Sequence, residues 1–347
     1  MKKKIYIHIG SPKTGSTSIQ RYLTFHQKYL HDQGLYYPIA GRAYREDQTK
    51  INCLKSEHAD IFICMNGDIV RSSETLHPIL SNFNEQKAGS MLLSEECLFL
   101  GSALAHSLKD RHVWRLLSDY DVQVIVYLRP AIEYLCSLWA EMIKMGDTTE
   151  LDAFLLEHPY SDNLRSLFDI SQKIGTTNMI IKTFEKKTWV GGSLVNDFMR
   201  VFGMEEIASE NEKSFQNITY SRYQTEKRLF VNKILKSKIT EDGHLISKKI
   251  SKTGSNQPTL ETVSDQMIEK VFKKYHPLEC ELGRKFASKD ELFRLKYSCA
   301  SSTSRNAFKK GIDWEDQKEL YSIAQQIRKE KKRSWSHLLL PPGRREG

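Results

Sequence analysis

Three groups of side chains in this sequence have the chemistry to handle an anion. The first is Lys13 with the hydroxyls of Thr14, Ser16, Thr17 and Ser18, set around Gly15 in the run Ile7-His8-Ile9-Gly10-Ser11-Pro12-Lys13-Thr14-Gly15-Ser16-Thr17-Ser18. The second is Arg129, followed eight residues later by Ser137. The third is the pair Glu95-Glu96, which closes the apolar run Met91-Leu92-Leu93-Ser94. An ammonium, a guanidinium and several hydroxyls suit the oxygens of a phosphate or sulfate group. Carboxylates at the end of a strand add acceptors of protons.

Such residues act together only if the chain positions them. Ile5, Tyr6, Ile7 and Ile9 form an apolar run that stops at Gly10, passes a short Pro/Lys/Gly turn and continues as Ser16-Thr17-Ser18-Ile19-Gln20-Arg21-Tyr22-Leu23. That reads as strand, tight loop and helix, with the Ser/Thr cluster supplying the N-cap and first-turn hydroxyls. A loop at a helix N-terminus gathers free N–H groups and the positive end of the dipole, so it is expected to bind phosphate. The loop departs from the nucleoside triphosphatase pattern, which places Gly-Lys-Ser/Thr at the helix start. Here Ser16 follows Gly15, and the lysine lies two residues before that glycine.

Residues 122–128, Val-Gln-Val-Ile-Val-Tyr-Leu, are the clearest strand, β-branched and almost continuously apolar as in a central parallel strand covered on both faces. Arg129 falls at its carboxyl end, where open α/β sheets bind ligands. Pro130 suits the first position of a helix running through Leu135, Leu138 and Met142. Eight residues are a little over two helical turns, so Arg129 and Ser137 can present a guanidinium and a hydroxyl to one anion.

Further strands are expected at 35–38, 90–94 and 178–184, with helices at 16–33, 69–83 and 104–120. Alternating strands and helices predict an α/β fold: a doubly wound parallel sheet flanked by helices. From about residue 214 the pattern is mainly helical, at 220–235, 260–275 and 314–332. Residues 236–258 are polar and read as a loop or flap. Residues 39–68 read as an irregular segment on the substrate side. One domain over 1–295 and a basic, partly helical extension over 296–347 are expected.

The chain has 347 residues, 39% hydrophobic and 27% charged, which places it among globular proteins. The first apolar run is too short for a secretory signal, and no stretch approaches the ~20 apolar residues of a membrane span. The net charge of +9 is concentrated at the end. Residues 328–347 carry seven Lys/Arg against Glu330 and Glu346, leaving +4 for the body. Contact with anionic partners is therefore expected at the tail, and no nucleic-acid-binding face on the domain. The basic run followed by Trp335 and Leu338-Leu339-Leu340 fits peripheral contact with an anionic membrane surface, and equally a solvated helix end with packed leucines. None of the six cysteines has Cys-x-x-Cys spacing, and no His is placed as in a zinc site, so reduced thiols and no metal are expected.

The run Pro12-Lys13-Thr14-Gly15-Ser16-Thr17-Ser18 resembles the 5′-phosphosulfate loop of the sulfotransferases that use 3′-phosphoadenosine 5′-phosphosulfate (PAPS). Leu128-Arg129-Pro130 with Ser137-Leu138-Trp139 resembles the segment with which that family binds the 3′-phosphate. Thr183-Phe184-Glu185, then Gly192, Leu194, Val195, Phe198 and Gly203, is similar to the strand and helix behind the donor. Asn217-Ile218-Thr219 and residues 278–293 are similar to later segments of the family. The resemblance thus covers residues 5–293 and implies a P-loop-like fold.

It also implies an enzyme that moves a sulfuryl group from PAPS to a hydroxyl by direct in-line transfer, without a metal. With neither the anchor nor the stem of Golgi members read in the sequence, a cytoplasmic, bacterial enzyme is expected. Lys13, Thr14, Gly15, Ser16, Thr17, Ser18, Arg129 and Ser137 would hold the donor. Lys13 would also stabilise the leaving group. The family's base is a His or a Glu near the end of a central strand, and Glu95 looks most like the glutamate of the carbohydrate-acting members. That makes a glycan or glycolipid the expected acceptor. Adjacent carboxylates raise each other's pKa toward the range of a base, and strand alternation turns only one of Glu95 and Glu96 toward the donor. Glu96 and His8 remain alternatives. A P-loop small-molecule kinase and a non-catalytic anion- or glycan-binding protein of the same fold are the competing readings.

Overall fold

The computed structural model describes residues 2–39, 69–109, 111–205, 221–235, 258–293 and 317–325. The expected substrate-side segment 39–68 (but for Ile39), the flap 236–258 (but for Pro258), Asn217-Ile218-Thr219 and the tail from 326 lie outside the described residues. Five strands, β1 (Lys4–His8), β2 (Leu35–Tyr36), β3 (Ser90–Ser94), β4 (Asp121–Leu128) and β5 (Met179–Thr183), form one sheet in the order β2-β3-β1-β4-β5. Every pairing is parallel.

The described α-helices are α1 (Ser16–Phe25), α2 (Gln27–Asp32), α3 (Ile69–Glu85), α4 (Ala103–Lys109), α5 (Arg111–Leu117), α6 (Ala131–Lys144), α7 (Leu151–Glu157), α8 (Tyr160–Ile174), α9 (Leu194–Met199), α10 (Arg222–Leu235) and α11 (Asp265–Phe286). The chain divides into two compact units, one of residues 1–131, 159–211 and 273–296, the other of 132–158, 212–272 and 297–347.

The first unit contains the sheet. Register puts Tyr6, His8, Leu92, Ser94, Ile125, Tyr127, Ile180 and Lys182 on one face. On that face the buried cluster takes in Ile19, Tyr22 and Leu23 of α1, Leu30 of α2, and Leu194, Val195, Phe198 and Met199 of α9. Spacing of three and four residues in α1 gives one apolar stripe to the sheet. Ile5, Ile7, Met91, Leu93, Val124 and Val126 on the opposite face are also buried, as a parallel sheet requires. Each such side chain contributes about 1.5–3 kcal/mol by leaving water.

Three expected helix boundaries differ from those observed. The helix expected at 16–33 divides at His26, whose ψ of 21° breaks the run between α1 and α2. The helix expected at 104–120 is two, α4 and α5. The two segments expected around 260–275 and 278–293 are a single helix, α11, which continues through Pro277. Met267, Val271, Tyr275 and Leu282 along it are all buried, so burial on both sides of the proline outweighs the hydrogen bond it removes.

In the second unit α6 and α10 are joined by polar contacts. The Asn232 amide donates to the carbonyls of Ile143 and Asp147 at 2.7 and 2.8 Å, and Arg228 donates to the Lys144 carbonyl at 3.2 Å. These close the carboxyl end of α6, whose last carbonyls have no partner within the helix. Residues 317–325 are helical and pack Leu320, Ile323 and Ala324 on Val231 and Leu235 of α10.

At the end of β1, His8 is enclosed. Its Nδ1 lies 2.8 Å from Ser94 Oγ, which also accepts from Gln20 Nε2 at 3.2 Å. The ring meets Phe198 edge-on at 5.1 Å, and Nε2 finds no hydrogen-bond partner among the described residues. Burial pushes its imidazole down to about 3 from the ordinary 6.5. The folded state therefore stays deprotonated where the unfolded chain takes up a proton. Its stability is intact above 6.5 and is lost progressively as the pH falls toward about 3. In urea unfolding at a series of pH values, His8→Gln is expected to flatten that acid limb. An acid limb identical to that of the wild type would show that His8 does not titrate on unfolding.

Candidate functional site

The carboxyl ends of β3, β1 and β4 lie side by side, and hydrogen bonds continue past the strands themselves. Ile9 N–H donates to the Ile125 carbonyl and Ser11 N–H to the Tyr127 carbonyl, both at 3.0 Å, while Tyr127 N–H donates to the Gly10 carbonyl at 2.7 Å. Ser11 Oγ adds a bond to the Tyr127 carbonyl at 3.1 Å. On the other flank Glu95 N–H donates to the His8 carbonyl at 2.9 Å. The loop after β1 is therefore fixed to the strand end that bears Arg129, and the last residue of β1 to the one that bears Glu95 and Glu96.

The loop itself is tightly turned. Lys13 and Gly15 are left-handed, with φ of 66° and 76°. Lys13 is half-buried, and holding a non-glycine residue there costs about 1–2 kcal/mol. Left-handed residues in such a loop bend successive N–H groups toward one side, the backbone arrangement of anion nests. The Thr14 hydroxyl is spent inside the loop, donating to the Ser11 carbonyl at 2.5 Å. Gly15 is the N-cap of α1 and makes no side-chain cap, so the expected hydroxyl cap is absent. Its carbonyl accepts from Ser18 and Ile19 N–H, which leaves the Ser16 and Thr17 N–H groups at the open end of the helix. Thr17 is half-buried and the Ser18 side chain is exposed.

Ser16 donates its hydroxyl to Glu96 Oε2. Glu95 and Glu96 differ in a way that strand alternation did not anticipate. β3 ends at Ser94, Glu95 keeps an extended backbone as the N-cap of a short 3₁₀ turn, and Glu96 opens that turn. Glu95 is 3% exposed and its Oε1 accepts from Cys97 N–H at 2.9 Å. Glu96 is half-buried and is the carboxylate directed to the anion loop. His8 is walled in by Ser94 and Phe198.

Arg129 follows β4, half-buried, its guanidinium 5.6 Å from the centre of the Phe184 ring. Phe184 N–H donates to the Leu128 carbonyl at 2.7 Å, so β5 is fixed to β4 beyond its own end as well. Ser137 lies half-buried on α6, in the second unit.

A polar group missed in the sequence braces this site from behind. Asp197 Oδ2 accepts from Tyr127 Oη at 2.6 Å and from Lys182 Nζ at 2.8 Å. Burial, then the hydrogen bond to Asp197, drives the Tyr127 phenol far above its ordinary range, so it stays a donor. Asp197 thereby fixes α9 to β4 and β5. Its signal in the sequence was a lone acid within the apolar run Leu194-Val195-Asn196-Asp197-Phe198-Met199.

Among the described residues no group of three or more His, Cys, Asp or Glu could hold a metal ion, and no helix is long and apolar enough to cross a membrane. Cys97, Cys136 and Cys280 are free thiols.

No protein-family model matches the chain, and no curated protein does. Two solved structures are similar to it. A sulfotransferase from Alicyclobacillus acidocaldarius is 12% identical with a TM-score of 0.39, over 81% of this chain and 95% of that one. The sulfotransferase domain of the Synechococcus PCC 7002 olefin synthase is 10% identical with a TM-score of 0.34, over 79% and 94%. Both likenesses are of fold.

Packing on the loop gives a direct test. A Cβ at Gly15 would stand 2.3 Å from Leu194 Cδ2 and 3.3 Å from Phe184 Cε2, at a φ that side chains rarely adopt. Gly15→Ala is expected to lose about 1–2 kcal/mol to the backbone alone, and more to the clash. Adding Leu194→Ala should relieve the steric part only. Chemical denaturation of the single and double variants measures this, and a cost of Gly15→Ala that is the same in the wild-type and Leu194→Ala backgrounds would show that α9 does not hold the loop.

Proposed function

We propose that the chain is a sulfotransferase that moves a sulfuryl group from PAPS to a hydroxyl of a carbohydrate or glycolipid acceptor. One observation carries the reading. The loop bearing Lys13 is hydrogen-bonded to the strand end bearing Arg129, and the Glu96 carboxylate meets Ser16 on the loop's other flank. Cation, helix N-terminus, guanidinium and carboxylate thus all come from the carboxyl ends of the central strands, where open parallel sheets bind ligands. The motif resemblance names PAPS as the donor whose two phosphate groups these cations fit.

When bound, PAPS supplies an activated sulfuryl group on a phosphate leaving group. The Ser16 and Thr17 N–H groups, with Lys13, hold the 5′-phosphosulfate at the open end of α1. Arg129 takes the 3′-phosphate in a charge-assisted contact. The acceptor oxygen forms a bond to sulfur while the bond from sulfur to the bridging phosphate oxygen breaks. Lys13 stabilises the charge that grows on that departing oxygen. The acceptor's proton passes to a carboxylate. We assign that role to Glu96, because Glu95 is buried and caps the turn through Cys97 N–H, whereas Glu96 faces the loop. A carboxylate base and the resemblance to carbohydrate-acting members support a sugar acceptor.

Thermal denaturation separates this reading from a kinase. Adenosine 3′,5′-bisphosphate without Mg²⁺ is expected to raise the melting temperature, as any ligand of the native state does. Lys13→Ala and Arg129→Ala should lose most of that rise. Stabilisation by ATP with Mg²⁺ and none by the bisphosphate would overturn the proposal. In transfer assays with labelled PAPS and an oligosaccharide panel, Glu96→Gln should lower kcat by about 10²–10⁴ while still binding the bisphosphate. An unchanged kcat in that variant would return the role to Glu95. Bisphosphate binding with no transfer to any acceptor would favour a non-catalytic protein.

A further inference from the structure

The turn that carries Arg129 is held by two buried side chains that neither the motifs nor the proposed chemistry use. Pro130 has no N–H, so the first donor after Arg129 is Ala131 N–H, which donates to Glu279 Oε1 at 2.9 Å. On the other side of the proline, Tyr160 Oη donates to the Arg129 carbonyl at 3.4 Å. The Tyr160 ring is fully buried and stands edge-on to Tyr275 at 5.6 Å, and Tyr275 precedes Glu279 by one helical turn of α11. All of these residues belong to the first unit.

A carboxylate is a costly choice for this position. Glu279 is 8% exposed, and burial pushes its carboxyl up to about 7 although Ala131 N–H pulls it down. An apolar side chain would pack there without that penalty. What the carboxylate gives in return is a fixed backbone on the far side of Pro130, just as Tyr160 fixes the near side. Phe184 then limits where the guanidinium itself can lie.

We propose that Glu279 and Tyr160 are positioning residues for Arg129, holding the Arg129-Pro130-Ala131 turn so that the guanidinium meets the 3′-phosphate of the donor. The proposal rests on the reading of Arg129 as the ligand of that phosphate. A residue that merely stabilised the fold would weaken all ligands alike. A residue that positions Arg129 affects only the part of the affinity that the 3′-phosphate supplies.

Isothermal titration of the full chain with adenosine 3′,5′-bisphosphate and with adenosine 5′-phosphate measures that part as the ratio of the two Kd values. The wild type is expected to favour the bisphosphate by about 10–100-fold, the return of a hydrogen bond between charged groups. Arg129→Ala should bring the ratio close to one. Glu279→Leu and Tyr160→Phe should each reduce it by about tenfold with the affinity for adenosine 5′-phosphate unchanged. Glu279→Gln keeps an oxygen that accepts from Ala131 N–H and should keep the ratio. Tyr160→Phe removes a single hydroxyl and carries the test if Glu279→Leu does not fold. A wild-type ratio in both Glu279→Leu and Tyr160→Phe, with the ratio lost in Arg129→Ala, would overturn the positioning role alone. A ratio retained in Arg129→Ala would overturn the reading of Arg129 and the positioning role with it.

Discussion

The site depends on hydrogen bonding that outlasts the strands. Between β1 and β4 the ladder does not stop at the last residue of β1 but runs on through Gly10, Ser11 and Tyr127. A loop at a helix start is ordinarily the part of an α/β unit that moves most. Here it is part of the sheet. The two cations assigned to the donor come from chain segments more than a hundred positions apart, Lys13 and Arg129. Each lies only two residues from a backbone bond that joins the two strands, so the main-chain positions that carry them are set by the sheet. Preorganisation of that kind reduces the ordering cost of binding a doubly anchored ligand.

Behind the loop, charge is balanced before any ligand arrives. Asp197 is a buried acid on the helix that packs against Gly15, and alone it would oppose the anion proposed to bind at that loop. Lys182 compensates its charge at 2.8 Å and the Tyr127 hydroxyl fills a further acceptor position. A buried pair is a weak source of net stability, since the desolvation of both ions offsets most of their attraction. Its value lies in geometry: it fixes α9 against β4 and β5, and α9 in turn places Leu194 against Gly15.

The sheet, the turn between β1 and α1, and the place of Arg129 at the end of β4 were legible in the sequence because each is written in contiguous residues. Apolar runs of the right length gave all five strands, and the Gly-Ser-Pro-Lys-Thr-Gly turn gave the loop. The helix ends were harder. Nothing local marks the break at His26, while Pro277 suggests a break that tertiary burial overrides. That Glu95 is the buried one of the two carboxylates and Glu96 the one bonded to Ser16 was not legible. It depends on the chain leaving β3 at Ser94 and coiling into a 3₁₀ turn, which changes the side-chain period from two to three. Asp197, Tyr160 and Glu279 are polar residues inside apolar patterns, and their partners lie 15 to 148 positions away. Spacing within a motif carries no information about such contacts.

The enclosed imidazole beneath the loop has a consequence for the electrostatics of the site. A histidine on the strand that leads into a proposed anion loop would normally make the loop's potential a function of acidity, gaining a positive charge as protons become abundant. Because burial keeps His8 neutral down to about 3, that source of variation is removed. The cradle's field in neutral and mildly acidic solution is then insulated from His8. Variation with acidity in the binding of the proposed phosphate ester across that range would therefore not come from His8.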